Sequence, residues 1–184
     1  MTSVQRDAGV RRSTTVRATA DAAEALCFAR DLGGSLTHVV VAAAGRALGL
    51  LAPPDAPAPG PQVAVLVTGD GQGRLTLVPG AVRAPLPTVR AEVDDAVLRG
   101  LSSTDVDAVG PQPAPVVIVG EASEMVDTDT RGGTRLLESG PADGDPLTLA
   151  LALHVGGDPA DVRDAERLLA HIVRLVERPY RRLV

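Results

Sequence analysis

Apolar residues at helical spacing mark the segments that we predict to be helices with one buried face. The predicted helices run through Ala25 to Leu32 after a cap at Asp21, from His38 to Leu50 after a cap at Thr37, from Thr88 to Arg99, and from Pro159 to Glu177. Gly33-Gly34 and Pro53-Pro54 end the first two, because glycine and proline commonly follow helix C-termini.

Alternating or β-branched runs between these helices predict strands. They lie at Ser13 to Thr19, Val63 to Val67, Leu75 to Pro79, Val116 to Val119 and Leu147 to His154. In the last strand, alternation places one set of residues on one face (Leu147, Leu149, Leu151 and Leu153) and the other set on the opposite face (Thr148, Ala150, Ala152 and His154). Residues 121–146 are polar, acidic and glycine-rich, and only Thr134 to Leu137 resembles a strand there.

The glycine-rich segment Gly69-Asp70-Gly71-Gln72-Gly73 allows two interpretations. A phosphate-binding loop would need a following Lys-Ser or Lys-Thr pair and a helix, and this sequence has neither. A hairpin turn needs only the flanking strands, which are present. We therefore predict a hairpin.

Strands and helices mix without strict alternation, which predicts an α/β or α+β fold with a mixed sheet flanked by helices. The 184 residues suit one domain of ordinary size. We assign residues 1–12, which are polar and contain arginine, to a flexible N-terminal arm. Residues 13–184 form the single predicted domain.

Composition narrows the classes of function. The net charge of −5 argues against a nucleic-acid-binding surface, and two aromatic residues in all provide no base-stacking platform. No apolar run has the length of a membrane span or of a signal peptide core, so we expect a cytoplasmic protein without a membrane partner. The single cysteine, Cys27, excludes an intrachain disulfide and a cysteine-rich metal site. We predict that it is a buried small hydrophobe rather than a nucleophile.

The segment from Leu153 to Pro159 carries the clearest candidate chemistry. His154 ends a strand beside the small residues Ala150 and Ala152, which leave room for a ligand, and two glycines follow. Asp158 stands four residues after the histidine. A neutral imidazole at this edge can act as a general base for acyl transfer, with the carboxylate fixing the loop.

A purely structural interpretation of the same residues remains open. Asp158 before Pro159 is a favourable helix start, with an N-cap carboxylate and proline at the first helical position. His154 can be an ordinary residue at the end of a strand. We interpret the other two histidines, His38 and His171, as structural.

The C-terminal segment resembles the catalytic domain of dihydrolipoyl acyltransferases, which are related in fold to chloramphenicol acetyltransferase. That family has a strand, a His-Arg-x-x-Asp-Gly motif and an alanine-rich helix that ends in Leu-Glu-x-Pro. His154 and Asp158 match the motif, and Glu177 and Pro179 match the helix ending. Three upstream segments resemble the family in the same order: Gly34 to Leu48, Val63 to Pro79, and Pro115 to Gly120.

The resemblance implies a chloramphenicol acetyltransferase-like fold and a homotrimer with active sites between subunits. It implies that His154 acts as general base on a thiol, with a CoA or carrier-protein thioester as substrate and a small-molecule acceptor. It implies no covalently bound cofactor and no metal. A serine or threonine from the neighbouring subunit would stabilise the oxyanion.

Departures from the family motif support an alternative function. Val155 replaces the arginine, Pro159 replaces the glycine, and the family's Thr-Ile-Ser-Asn-Leu-Gly segment is missing. Loss of an oxyanion donor typically costs about 10²–10³ in rate. The sequence therefore leaves two hypotheses open: a stand-alone acyltransferase in specialised metabolism, or a non-acylating binding, scaffold or cyclase member of the fold.

Overall fold

One mixed sheet forms a layer of the protein, and the helices pack against one of its faces. The computed structural model describes residues 13–52, 61–69, 72–78, 81–82, 84–102, 116–121, 135–142, 145–156 and 158–183. The proposed N-terminal arm, residues 1–12, lies outside the described residues. The mixed α/β fold class predicted from the sequence is confirmed.

The sheet has six strands in the order β1-β6-β5-β4-β2-β3. Their bounds are β1 Ser13–Asp21, β2 Gln62–Gly69, β3 Gln72–Val78, β4 Val116–Glu121, β5 Arg135–Ala142 and β6 Asp145–Gly156. The central strand β4 runs parallel to β2 and β5, and the remaining neighbours are antiparallel. The predicted hairpin is confirmed, because β2 and β3 pair from Val63–Val78 to Gly69–Gln72.

The helices bury their apolar faces against the sheet and against one another. Their bounds are α1 Ala23–Asp31, α2 Leu36–Leu51, α3 Leu86–Ser102, α4 Pro159–Glu177 and α5 Pro179–Arg182. The central helix is α2, in which every residue from Val39 to Gly45 is buried. Among the described helices, none is by itself long and apolar enough to cross a membrane, although the sharply bent pair α1 and α2 meets that criterion together.

The pairing register places the apolar strand residues on one face of the sheet. Val65 of β2 pairs with Val119 of β4. Across the intervening strand β5, Val119 is in register with Leu153 of β6. Leu153 in turn pairs with Val16 of β1. These residues join the core with the helices, whereas His154 belongs to the opposite face because side chains alternate along β6.

The sequence located most elements but misplaced some of their ends. Helix α4 has the predicted bounds, while β5 is longer than the predicted Thr134 to Leu137, and the short helix α5 was missed. Thr37 is not the cap of α2; the helix begins earlier, with Ser35 as its N-cap. Serine and threonine are both good caps, and Ser35 precedes Thr37 by two residues, so residue preference alone does not select the correct one.

The prediction that Cys27 is buried is wrong. The buried positions of α1 are Ala25, Phe28 and Ala29, and the helical spacing turns Cys27 to the solvent. Its Sγ lies 3.7 Å from Nη2 of Arg30.

Tyr180 of α5 fastens the C-terminal region to α1. Its ring meets Phe28 edge to face at a centroid distance of 4.6 Å. Its hydroxyl donates a hydrogen bond of 2.5 Å to Oδ2 of Asp31. The hydrogen bond to Asp31, followed by desolvation and the negative charge of that carboxylate, raises the pKa of Tyr180 to about 12.

We expect the phenolate absorbance of Tyr180 to titrate near pH 12 in the folded protein, rather than near its ordinary pKa of 10.0. It is the only tyrosine and the chain has no tryptophan, so the ultraviolet signal is specific. Tyr180 ionises at a lower pH in the unfolded chain than in the folded protein. The stabilisation that its hydrogen bond contributes is therefore fully present below pH ~10 and is lost as the pH rises towards ~12. Asp31→Asn should move the midpoint back towards 10. A midpoint near 10 in the folded wild type would refute the contact.

Candidate functional site

His154 lies near the end of β6, and β1 holds its ring in place. It pairs in register with Thr15 of β1 and with Leu136 of β5. The Thr15 hydroxyl oxygen and His154 Nδ1 are 2.8 Å apart, a good hydrogen-bond distance. The contact fixes the ring orientation. Sequence reasoning missed Thr15 because its proximity depends on the pairing of strands from opposite ends of the chain.

The small residues predicted beside His154 lie on the same face of the sheet. Ala152 pairs with Arg17 and Ala150 pairs with Thr19. Arg17 and Thr19 are exposed, whereas Ala152 is buried. The His154 ring is half-buried and its Nε2 atom is beneath the surface of the single chain. A ligand that reaches Nε2 therefore has to displace or rearrange what covers it.

Asp158 occupies the N-cap of α4. Its Oδ1 accepts a hydrogen bond of 2.7 Å from the backbone N–H of Ala160, and Pro159 takes the first helical position. This is the capping role that the sequence indicated as the alternative to catalysis. Because its exposed carboxylate accepts this hydrogen bond from the first turn of α4, Asp158 fixes where that helix begins after β6.

A second group of polar side chains surrounds a cleft between the start of α2 and the middle of α3. The cleft has a volume of about 510 Å³, and its polar members are Ser35, Thr37, His38 and Asp94. Nδ1 of His38 accepts a 2.9 Å hydrogen bond from the backbone N–H of Ser35, while Nε2 lies 2.9 Å from Oδ1 of Asp94. The sequence assigned His38 a structural role, and its partner 56 residues away could not be read from local spacing.

Solved acyltransferase structures match this architecture along nearly the whole chain. The dihydrolipoamide acetyltransferase of Azotobacter vinelandii matches with a TM-score of 0.63 and 14% identity, over 95% of this chain and 85% of that one. A chloramphenicol acetyltransferase matches with a TM-score of 0.60 and 12% identity, over 89% of this chain and 88% of that one. The chain has the chloramphenicol acetyltransferase-like fold.

The same fold occurs in longer chains, one of them from teicoplanin biosynthesis. The X-domain solved in complex with OxyB from teicoplanin biosynthesis matches with a TM-score of 0.52 and 17% identity, over 94% of this chain and 47% of that one. At these identities, the matches establish the chloramphenicol acetyltransferase-like fold.

No protein-family model matches the sequence, and the search of curated proteins finds no significant relative. The resemblance to dihydrolipoyl acyltransferases that the sequence suggested is confirmed at the level of the chloramphenicol acetyltransferase-like fold. The Azotobacter structure comes from work on the roles of a serine, a histidine and an asparagine in that enzyme's mechanism, the asparagine being four residues after the histidine.

Proposed function

We propose that the protein transfers an acyl group between a CoA or carrier-protein thioester and a small-molecule acceptor, with His154 as general base. The observation that carries this proposal is the position of His154. It lies near the end of β6 in an acyltransferase fold, with its ring held by Thr15 at 2.8 Å. A positioned imidazole contributes about 10²–10⁴-fold to proton-transfer steps.

The Thr15 contact is suited to a base that acts through Nε2. A threonine hydroxyl can accept a hydrogen bond from Nδ1–H. In that tautomer the lone pair of the ring is on Nε2, where it can take a proton from the acceptor. Thr15 is thus a positioning residue in the proposal, and its partner atom His154 Nδ1 is on the side of the ring away from the chemistry.

In the proposed reaction, one proton moves from the acceptor to His154 and then from His154 to the leaving thiolate. Nε2 of His154 takes the proton of the acceptor hydroxyl or thiol as that atom forms a bond to the thioester carbonyl carbon. The carbon–sulfur bond of the resulting tetrahedral intermediate then breaks. The departing thiolate takes the proton from Nε2, which restores the neutral imidazole.

Spacing relative to a known enzyme supports the role of this segment. The Azotobacter enzyme was studied at a histidine and at an asparagine four residues later. This chain has His154 and Asp158 at the same separation. Asp158 acts in the proposal by fixing the start of α4, and so the path of the chain after His154, rather than by touching the substrate.

Assembly into a homotrimer is part of the proposal. The family resemblance implies active sites between subunits, and the sheet face that carries His154 is opposite the helix layer. A neighbouring protomer on that face is an identical chain, so in the proposal it supplies the oxyanion donor from a position other than the family's missing segment. The proposal also requires that a thiol reach Nε2 from that face, where the atom is covered in the single chain.

Release of free thiol from acyl-CoA in the presence of small hydroxylated acceptors tests this function. We expect acceptor-dependent thiol release, from a particle whose mass in light scattering is three times that of the chain. Acylated acceptor should accumulate in proportion to the thiol. Absence of transfer from both CoA and carrier-protein donors, with a folded protein, would contradict the proposal.

A second candidate is a binding protein of the same fold that performs no transfer. The burial of His154 Nε2 in the single chain favours it, as does the engagement of Asp158 as a helix cap. The X-domain from teicoplanin biosynthesis was solved in complex with OxyB, so a protein of this fold binds another protein there. Calorimetry that detects no CoA binding, together with a lack of thiol release, would favour this candidate.

A further inference from the structure

The cleft between α2 and α3 contains a serine, a histidine and an aspartate in sequential hydrogen-bond contact. Ser35 Oγ lies 2.8 Å from Nδ1 of His38, and Nε2 of His38 lies 2.9 Å from Oδ1 of Asp94. These residues belong to the start of α2 and to α3. The transfer site proposed above uses β1 and β6 instead, so the two sites are on different elements.

The hydrogen bonds of His38 fix the tautomer that a serine nucleophile requires. Nδ1 accepts from the backbone N–H of Ser35 at 2.9 Å, so the ring proton is on Nε2 and is donated to the carboxylate of Asp94. The single lone pair on Nδ1 is therefore shared between the Ser35 backbone N–H and the Ser35 hydroxyl, whose oxygen lies 2.8 Å away. Arg90 lies 3.7 Å from the other oxygen of Asp94 and helps to orient it.

A capping box explains only part of this arrangement. Ser35 and His38 occupy the N-cap and N3 positions of α2, where a glutamate or glutamine usually closes the box. Capping does not account for the reach of His38 to Asp94 on another helix. Nor does it account for the open cleft of about 510 Å³ beside the three residues.

The rest of the cleft is suited to an apolar group. Val93, Val97 and Leu98 line it along α3, and Leu98 is 65% exposed. At its polar end, the first N–H groups of α2 have no partner within the helix by the geometry of helix starts. The backbone N–H groups of Leu36 and Thr37 come immediately after Ser35 in the chain, at the end of the helix where the dipole favours negative charge.

We propose that this cleft hydrolyses carboxylic esters with short apolar acyl chains, with Ser35 as nucleophile and His38 as its base. The Ser35 hydroxyl gives its proton to Nδ1 and its oxygen bonds to the ester carbonyl carbon. The bond to the leaving alkoxide breaks, and that oxygen takes the proton from Nδ1. Water repeats the sequence on the acyl-serine, so one ester and one water give one acid and one alcohol.

Hydrolysis of para-nitrophenyl butyrate by the full chain, with variants that keep the cap, tests this inference. His38→Gln places the usual capping-box residue at N3 but removes the base, and Ser35→Asn keeps a good N-cap but removes the nucleophile. We expect each to lower the hydrolysis rate by about 100-fold or more, as expected for loss of a positioned base or nucleophile. Circular dichroism should show an unchanged fold.

Two controls separate this site from general surface chemistry. His171→Gln removes a half-buried histidine of α4 and should leave hydrolysis unchanged. A fluorophosphonate should label Ser35, as located by peptide mass spectrometry, and should not label the His38→Gln variant. The inference is overturned by hydrolysis no faster than the spontaneous rate, by unchanged rates in both cap-preserving variants, or by a label at residues other than Ser35.

Discussion

His154→Gln is expected to lower acyl transfer by about 10²–10⁴-fold, the usual contribution of a general base. Glutamine keeps a polar side chain near Thr15 but cannot take a proton at the pH of the assay. The half-buried ring is on the sheet face opposite the main core, so the variant should fold and assemble as the wild type does. Rates of thiol release at saturating donor, with light scattering of the same samples, provide the measurement.

Substitutions at Thr15 extend this test to the orientation of the ring. Thr15→Val removes the hydroxyl at nearly constant shape, and a neutral hydrogen bond is worth about 0.5–1.5 kcal/mol. We expect kcat to fall by up to about tenfold with KM unchanged, and Thr15→Ser to restore it. Equal rates in wild type and His154→Gln would remove His154 from the mechanism and leave the binding function as the better proposal.

Gly45→Ala is expected to destabilise the protein by about 2–3 kcal/mol, although alanine is the better helix former by about 1 kcal/mol. Gly45 is in the middle of α2, where the backbone of residues 81–82 crosses it. A Cβ at this position would lie 1.9 Å from the carbonyl oxygen of Ala81. Because the opposing atoms are backbone, the helix or the crossing segment has to move.

Gly49→Ala is the matched control one turn later in the same helix. Its Cβ would lie 3.1 Å from Cγ1 and from the carbonyl oxygen of Val82, a tight but tolerable distance. We expect the helix propensity of alanine to offset most of that cost. Urea unfolding followed by circular dichroism distinguishes the two variants, and similar midpoints for both would contradict the close packing at Gly45.

Local patterns were sufficient to predict most of this fold. The alternation in β6 and the apolar stripe of α4 each determine which residues are buried, because burial on one face requires that period. Leu149, Leu151 and Leu153 are buried on their predicted common face, and so are Leu168 and Ile172 in the predicted stripe of α4. Leu147, on the same predicted face near the start of β6, is 52% exposed. Strand β5 was largely missed, because its sequence Arg-Leu-Leu-Glu-Ser-Gly-Pro-Ala contains residues that strands usually avoid.

The candidate sites were less predictable, since each depends on contacts between distant parts of the sequence. His154 could be selected from its strand, but Thr15 is 139 residues away. The approach of His38 to Asp94 likewise follows from how α2 packs on α3. Asp158 illustrates the opposite case, in which local spacing alone predicted the capping hydrogen bond that the structure shows.

A structure of the assembled protein with CoA bound most directly tests whether His154 is the base for acyl transfer. We predict that the CoA thiol lies within hydrogen-bond distance of His154 Nε2, in a passage between two protomers. CoA bound at another place, or an assembly in which the His154 ring stays covered at saturating CoA, would contradict that assignment. In that case the chloramphenicol acetyltransferase-like fold would stand without the transfer function.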